Sequence, residues 1–347
     1  MITDLDGQAS RIVTWLGDQA QVAAGAGPAQ LHQLTGGNSN VTYLLTAGDR
    51  QWIIRRPPQH RLDRSAHSMA REWTLLDALA PTAVPAVRPV AYGQDLGVLG
   101  AEFLVLEYVP ESVSITDALP LAYDAVPGTI AAIGSALVDA LVRVQEADWQ
   151  AAGLAEFGRP AGFLSRQVPR WEAQYRRHQN RDIASFDRVA RWLRDHQPGP
   201  QPAAVVHGDF HLDNCLFSVH RPELLAVVDW EMATIGDPLL DLGLLLALWG
   251  PRVCDPPGMP AIQAVTRAPA APSRRDLAER YAQLSGRDLS GIRWYQVFAL
   301  WKLAAIVEAA YAQFARGELR TDYAAALEQD VPLLFDEAEA LITAPDR

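Results

Sequence analysis

The sequence predicts an α+β chain of two lobes, a small antiparallel-sheet lobe followed by a mainly helical one. Two observations carry this. β-Rich runs bounded by Gly, Pro and Asn crowd residues 31–109, whereas apolar residues recur at helical spacing through much of the chain beyond residue 110. At 347 residues the chain is long enough to bury a core in each lobe.

Residues 8–21 read as a first helix, with Ile12, Val13, Leu16 and Ala20 on one face. Leu31–Leu34 and Val41–Leu45 flank Thr35-Gly36-Gly37-Asn38-Ser39-Asn40, the pattern of a hairpin. A third strand, Gln51–Arg56, stops at Pro57-Pro58, which cannot continue a ladder. Met69–Leu79 reads as a helix, and Phe103–Val109 as another strand ended by Pro110. These elements predict a first lobe at 1–109 and a second at 110–347.

In the second lobe, Ile130, Ile133, Leu137, Leu141 and Val144 repeat at helical spacing, as do Trp294, Phe298, Trp301 and Ala305. The aromatics among them read as core rather than as a base-stacking surface. The apolar run Leu239–Trp249 is interrupted by Asp241 and is too short to cross a bilayer, which predicts a buried helix. Six prolines between Pro251 and Pro272 predict a long loop, and Ser273-Arg274-Arg275-Asp276 a helix-starting cap.

Composition narrows the partners. Hydrophobic residues make up 49% and charged ones 20%, a globular balance. A net charge of -11 disfavours a nucleic-acid or anionic-membrane surface, so a small-molecule partner is expected. Only Cys215 and Cys254 occur, too few for a disulfide framework, and the N-terminus lacks a basic segment followed by an apolar one. No signal peptide and a cytoplasmic location are therefore expected.

The chemistry concentrates in Val205-Val206-His207-Gly208-Asp209-Phe210-His211-Leu212-Asp213-Asn214 and the nearby Leu225-Ala226-Val227-Val228-Asp229-Trp230. An apolar run delivers an Asp into a loop, an Asn follows five positions later, and a second apolar strand ends on another Asp. Kinase-type phosphoryl transfer needs one carboxylate to orient a hydroxyl, and an amide and a second carboxylate to hold magnesium against phosphates. A rival reading takes His207, Asp209, His211 and Asp213 as a metallohydrolase cluster. That site would recruit further ligands from separate strand ends, and no histidine lies beyond His220.

The joint pattern resembles the catalytic core of the aminoglycoside phosphotransferase and choline kinase families, relatives of the protein kinases. The resemblance implies a bilobal protein-kinase-like fold, ATP as phosphoryl donor with GTP not excluded, and Mg2+. It implies Asp209 as the catalytic carboxylate, Asn214 and Asp229 as magnesium ligands, and His207 as a loop-organising histidine. Upstream, Gly37 and Ser39 sit where a phosphate-binding loop belongs, although the glycine spacing alone suits any hairpin turn. Arg55 stands where kinases carry the phosphate-pairing lysine, with Glu72 as its ion-pair partner and Arg56 as the alternative if the register slips by one. The Glu107 carbonyl and Val109 amide fall at the hinge that holds adenine. Asp241 would brace the catalytic loop by accepting its backbone hydrogen bonds.

Arg55-Arg56-Pro57-Pro58, the segment Ala66–Trp73, Asp229–Pro238 and Trp294–Phe298 resemble a subgroup related to the kinase-like domain fused to some acyl-CoA dehydrogenases. That subgroup suggests a hydroxyacyl-CoA or hydroxy acid as acceptor; the wider family suggests aminoglycosides. Arg166, Arg170, Arg176 and Arg177 form a basic run that could meet an anion, or be a solvated face. A nucleotide-responsive binding module without transfer activity is the alternative function, supported by the Arg55 departure.

Overall fold

The computed structural model describes residues 5–19, 27–34, 40–57, 68–251, 263–319 and 321–344. Helix α1 (Leu5–Gln19) leads into strands β1 (Ala29–Leu34), β2 (Val41–Ala47) and β3 (Arg50–Arg56). Then come α2 (Met69–Leu79), β4 (Pro89–Gly93), the short α3 (Leu96–Leu99) and β5 (Phe103–Glu107). The strands form one antiparallel sheet in the order β1-β2-β3-β5-β4. The predicted hairpin and third strand are present. The first helix begins earlier than its apolar periodicity suggests, residues 20 and 21 of the expected helix lie outside the described residues, and β5 stops at Glu107 rather than at residue 109. Strand β4 is not legible in the sequence because Pro89 and Gly93 at its ends mask it as a loop.

Strand alternation gives this sheet two different faces. Trp52 and Ile54 join Ile12, Leu16, Leu45 and Phe103 in a small core under α1. Ile53 packs on the opposite side, against the large core that also takes Met69, Leu75, Leu76 and Leu79 of α2. Arg55 shares the parity of Ile53, so it faces α2. Glu72 falls on the same buried stripe of that helix as Met69 and Leu76.

The second lobe is mostly helical: α4 (Thr129–Gln145), α5 (Phe163–His178), α6 (Ala184–Asp195), α7 (Leu239–Leu248), α8 (Arg274–Ser285), α9 (Ile292–Ala315) and α10 (Asp322–Thr343). Two small sheets flank the segments His207–Asn214 and Val228–Ala233. β6 (Ser112–Ser114), β8 (Cys215–Ser218) and β9 (Leu224–Val227) form one, while β7 (Ala204–Val206) pairs with β10 (Thr234–Gly236) in the other.

Trp294, Phe298, Trp301 and Ala305 are all buried, so they are core as expected. Helix α9 is long and apolar enough to cross a membrane by length and composition, yet it is packed between α7 and α10 as the lobe's central helix. Gly243 of α7 permits that packing, since a Cβ there would lie 2.6 Å from the Tyr295 Cβ. The predicted cap on α8 is a reciprocal capping box between Ser273 and Asp276. Residues 252–262 of the proline-rich loop lie outside the described residues; its later part contains a short 3-10 turn, Ala264–Arg267.

Candidate active site

Buried strand β7 delivers His207-Gly208-Asp209 to the cleft between the lobes. Gly208 is required there: its φ is +85°, and a Cβ would sit 2.6 Å from the Met232 carbonyl oxygen. Asp241, in the first turn of α7, clamps the loop. Its Oδ2 accepts from the His207 amide at 2.7 Å and its Oδ1 from the Gly208 amide at 2.8 Å. This is the bracing expected of Asp241. Burial pushes its carboxyl up to about 7, against the pull of those two amides and of Lys302.

His207 is completely buried. Its Nε2 donates to the Val228 carbonyl at 2.9 Å, which leaves Nδ1 to accept from the Asp209 amide at 3.3 Å. Burial lowers its pKa to about 4, so the ring is neutral and serves as a spacer between the two catalytic strands.

Asp209 keeps 38% of its side chain exposed, so its carboxylate is accessible from the cleft. The Asn214 amide nitrogen donates to the Asp209 carbonyl at 2.9 Å and to Asp209 Oδ2 at 3.0 Å. His211 stands between two carboxylates, 3.4 Å from Asp209 Oδ2 and 3.2 Å from Asp213 Oδ2. Burial opposes a charged His211, but the two acids raise it to about 10. For Asp209 burial acts upward, and His211, Lys302 and His207 together hold the carboxyl well below the usual range. Such an acid is a poor proton acceptor and a good hydrogen-bond acceptor.

Asp229 lies one residue beyond Val228, whose amide donates to the Asn214 carbonyl at 2.9 Å. That bond fixes the two loops side by side. Asp229 has φ 66° and ψ 61°, a left-handed conformation that a non-glycine residue adopts only under local constraint. Its carboxylate turns toward Arg55, with Nη2 to Oδ1 at 2.7 Å.

Arg55 is the electrostatic hub. Its Nη1 pairs with Glu72, and its Nη2 also lies 3.7 Å from Glu231. Burial alone would weaken the guanidinium's charge, but Glu72, Asp229 and Glu231 together raise its pKa further. Asn40 adds a second link between the lobes, donating to Glu231 Oε2 at 2.6 Å. Arg56 is directed elsewhere, toward Tyr43 and the Leu99 carbonyl, each at 3.4 Å, so the strand register selects Arg55.

Not every expected residue joins this cluster. Gly37 and Ser39 lie outside the described residues. Glu107 ends β5 opposite Trp52, and the Val109 carbonyl accepts from the Ser112 hydroxyl at 2.7 Å. For a metal, the oxygens available are the Asn214 amide oxygen, whose nitrogen is committed to Asp209, and the Asp229 carboxylate. Among the described residues no group of three or more His, Cys, Asp and Glu could hold a metal ion. Two hard oxygens, completed by water and phosphate, fit magnesium better than the rival metallohydrolase site.

A cavity of ≈ 620 Å3 opens beside Asp209, lined by Phe163, Gln167, Arg170, Gln174 and Arg177 of α5 and by Lys302 of α9, among others. Lys302 donates to the Gly208 carbonyl at 2.7 Å and stands over the Trp171 ring at 5.3 Å. Lys302, Glu231 and Arg71 were not anticipated. Lys302 had a visible signal: it is the one charged residue between Arg293 and Glu308 in an otherwise apolar helix.

Comparison with known proteins places the chain in a family. Residues 30–279 match the phosphotransferase enzyme family. The chain is 32% identical over 299 residues to mouse acyl-CoA dehydrogenase family member 10, covering 84% of this chain and 27% of that protein. It spans between 27% and 38% of the length of the curated relatives it matches. A solved candidate aminoglycoside phosphotransferase from Ralstonia eutropha is 27% identical, with a TM-score of 0.77 over 97% of this chain and 99% of its own. A spectinomycin phosphotransferase solved with ADP and spectinomycin shares the fold at 10% identity, with a TM-score of 0.62 over 97% and 99% of the two chains.

Proposed function

We propose that this chain, which belongs to the phosphotransferase enzyme family, moves the γ-phosphoryl group of ATP, with magnesium, to a hydroxyl of a small molecule held beside Asp209. GTP is the alternative donor. Membership makes it a small-molecule kinase with a hydroxyl acceptor; the donor, the metal and the residue roles are our reading. The observation that carries it is the Asp209–Asn214 hydrogen bond, tied to the loop of Asp229 through the Val228 amide and the Asn214 carbonyl, with Arg55 bridging Asp229 to the buried Glu72.

Asp209 accepts the acceptor's hydroxyl proton in a hydrogen bond and aims the oxygen. A loose phosphoryl-transfer transition state requires orientation more than early deprotonation, so a strongly acidic Asp suffices. Asn214 and Asp229 would hold magnesium, which supplies charge neutralisation at the phosphate oxygens. Arg55 swings its guanidinium from Asp229 to phosphate while Glu72 keeps it in place. Residues 1–109 then form the nucleotide lobe, with Gly37 and Ser39 against phosphates and the Glu107 carbonyl and Val109 amide against the base. Residues 110–347 supply catalysis and the acceptor site. The acceptor classes to test are hydroxyacyl-CoAs, hydroxy acids and aminoglycosides.

A second reading, a nucleotide-responsive binding module, draws support from the direct Arg55–Asp229 bond, which occupies a carboxylate that magnesium needs. ATP consumption with magnesium, screened against those acceptor classes and amino alcohols, separates the two. A hit with one class is expected. Asp209→Ala should then lower turnover by about 10²–10⁴-fold with nucleotide affinity retained. Near-normal turnover in that variant would remove Asp209 from its role, and a magnesium-dependent thermal shift with ATP but no consumption would favour the binding module.

A further inference from the structure

We propose that Arg170 and Lys302, supported by Arg71, form an anion-binding subsite in the acceptor cavity and set specificity for acceptors that carry a carboxylate or phosphate besides their hydroxyl. This rests on the phosphotransferase reading for its site and extends it to the residues that select the substrate.

The cavity is lined by four cations, Arg71, Arg170, Arg177 and Lys302, and by two acids, Asp209 and Glu231. Both acids are already engaged, Asp209 with His211 and Asn214, and Glu231 with Asn40 and Arg55. Among the described residues Arg71 and Arg170 make no ion pair, whereas Lys302 already feels the Asp209 and Asp241 carboxylates and keeps donors to spare. Arg71 donates to the Phe157 and Ala233 carbonyls at 3.0 and 3.5 Å and lies 4.2 Å over the Phe157 ring. Lys302 spends one of its three donors on the Gly208 carbonyl. Arg170 lies 5.5 Å over Trp171 and, among the described residues, makes no hydrogen bond or ion pair. Carbonyls and rings orient Arg71 and Arg170 but cancel none of their charge.

The same helix provides a contrast. Phe163, Gln167, Arg170, Gln174 and Arg177 recur at alternating steps of four and three, the stripe of α5 that faces the cavity. Arg166 and Arg176 fall off that stripe and are satisfied elsewhere. Arg176 pairs with Asp187, and Arg166 donates to the Arg159 and Ala161 carbonyls. Arginines pointing away from the cavity are thus fully bonded, while Arg170 on the stripe is left without a partner. Burial weakens the charge of both Arg71 and Lys302; Arg170 opposes it further in each, and at Lys302 the pull of Asp209 and Asp241 outranks that opposition. In a chain of net charge -11 this basic wall is local. An anion seated against it would relieve the repulsion and make charge-assisted hydrogen bonds with donors now unused.

The test is calorimetric titration of the full chain, with and without a non-hydrolysable ATP analogue and magnesium. The probes are 3-hydroxybutyrate, its neutral methyl ester and glycerol 3-phosphate. Binding of at least one anionic probe about tenfold tighter than the ester is expected. A preference for 3-hydroxybutyrate assigns the carboxylate, and one for glycerol 3-phosphate the phosphate. Arg170→Met and Lys302→Met should each erase that preference, and Arg166→Ala should keep it. Because Lys302 also holds the Gly208 carbonyl, Arg170→Met, on an exposed position, is the deciding variant. Equal binding of ester and acids by the unaltered chain, or an unchanged preference in Arg170→Met, overturns the subsite. Since binding is read without turnover, that result leaves the phosphotransfer reading standing, and a failed transfer assay leaves the subsite standing.

Discussion

The two walls of the cleft are built on opposite electrostatic plans. On the wall proposed to face the nucleotide, the described buried charges are engaged within the fold: Arg55 touches Glu72, Asp229 and Glu231, and Asp241 accepts from two loop amides. On the acceptor wall, Arg71, Arg170, Arg177 and Lys302 meet carbonyls, rings and one side-chain amide. The first wall is paired internally in the free chain, and only its Arg55–Asp229 bond would have to open for the proposed nucleotide and metal. The second is completed only by what it binds. Perturbing the first should therefore cost stability, and perturbing the second should cost affinity.

The largest effect is expected at Arg55. Arg55→Ala takes away the guanidinium charge facing Glu72, whose side chain is 1% exposed, and Glu231 at 8%. Breaking such a buried arrangement costs about 3–5 kcal/mol. The Asp229 share is discounted, because a third of that side chain is exposed and screened. Urea denaturation measures this. Arg55→Lys, which keeps the charge but loses the two-armed geometry, should fall between the parent and the alanine variant. A parental midpoint for Arg55→Ala would erase the distinction between the walls.

A smaller effect comes through His207. Burial lowers its pKa from 6.5 to about 4. The unfolded chain takes up a proton below about pH 6.5 that the folded chain refuses until about pH 4, so its contribution is intact above 6.5 and is lost as pH falls through that window. The loss amounts to about 3 kcal/mol, since each unit is worth about 1.4. Asp241, raised by burial, acts in the opposite direction over an overlapping range, so the comparison must be with a variant. In His207→Gln this loss should vanish, so stability at pH 4 relative to pH 6.5 should be about 3 kcal/mol more favourable than in the parent, leaving the opposite slope of Asp241 exposed. An unchanged slope would assign acid sensitivity to other groups.

The same division governs what could be read from the amino acids. The first wall consists of two clusters that are each local in sequence: Asp209 and Asn214 share one loop, with Asp229 soon after β9, and Arg55 and Glu72 are 17 residues apart on adjacent elements, although the Arg55–Asp229 contact that joins the clusters spans 174 positions. Fixed spacing is what such an arrangement leaves behind, and strand parity then selects Arg55 over Arg56. The acceptor wall is assembled from α2, α5 and α9, and its members lie up to 231 positions apart, from Arg71 to Lys302. Only tertiary packing brings them together. Partial signals existed even so. The four-three stripe on α5 distinguishes Arg170 and Arg177 from Arg166 and Arg176, and Lys302 interrupts an apolar helix. Glu231 carried no such mark, since its partner Asn40 comes from the other lobe. Strand β4 was hidden by its terminal Pro and Gly, while β2, β3 and α2 were plain from period alone.

The smallest structural effect, and the sharpest check on the comparison, is expected at Arg177. It is exposed, lines the cavity at the far end of the α5 stripe, and has a single weak bond, Nη1 to Gln174 Oε1 at 3.3 Å. Arg177→Ala removes a charge that nothing in the fold depends on, so stability should stay within about 0.5 kcal/mol of the parent. Its removal also lessens repulsion among the cations, which offsets what little packing is lost. The long-range field that draws an anion into the cavity should weaken, raising KM for an anionic acceptor by about two- to fivefold and leaving kcat alone. Because the field is screened, that rise should shrink as ionic strength approaches 1 M, where the Debye length is about 3 Å. Steady-state kinetics at low and high salt measure both. A destabilised variant, or a KM indifferent to salt, would mean that Arg177 belongs to the structural plan of the other wall.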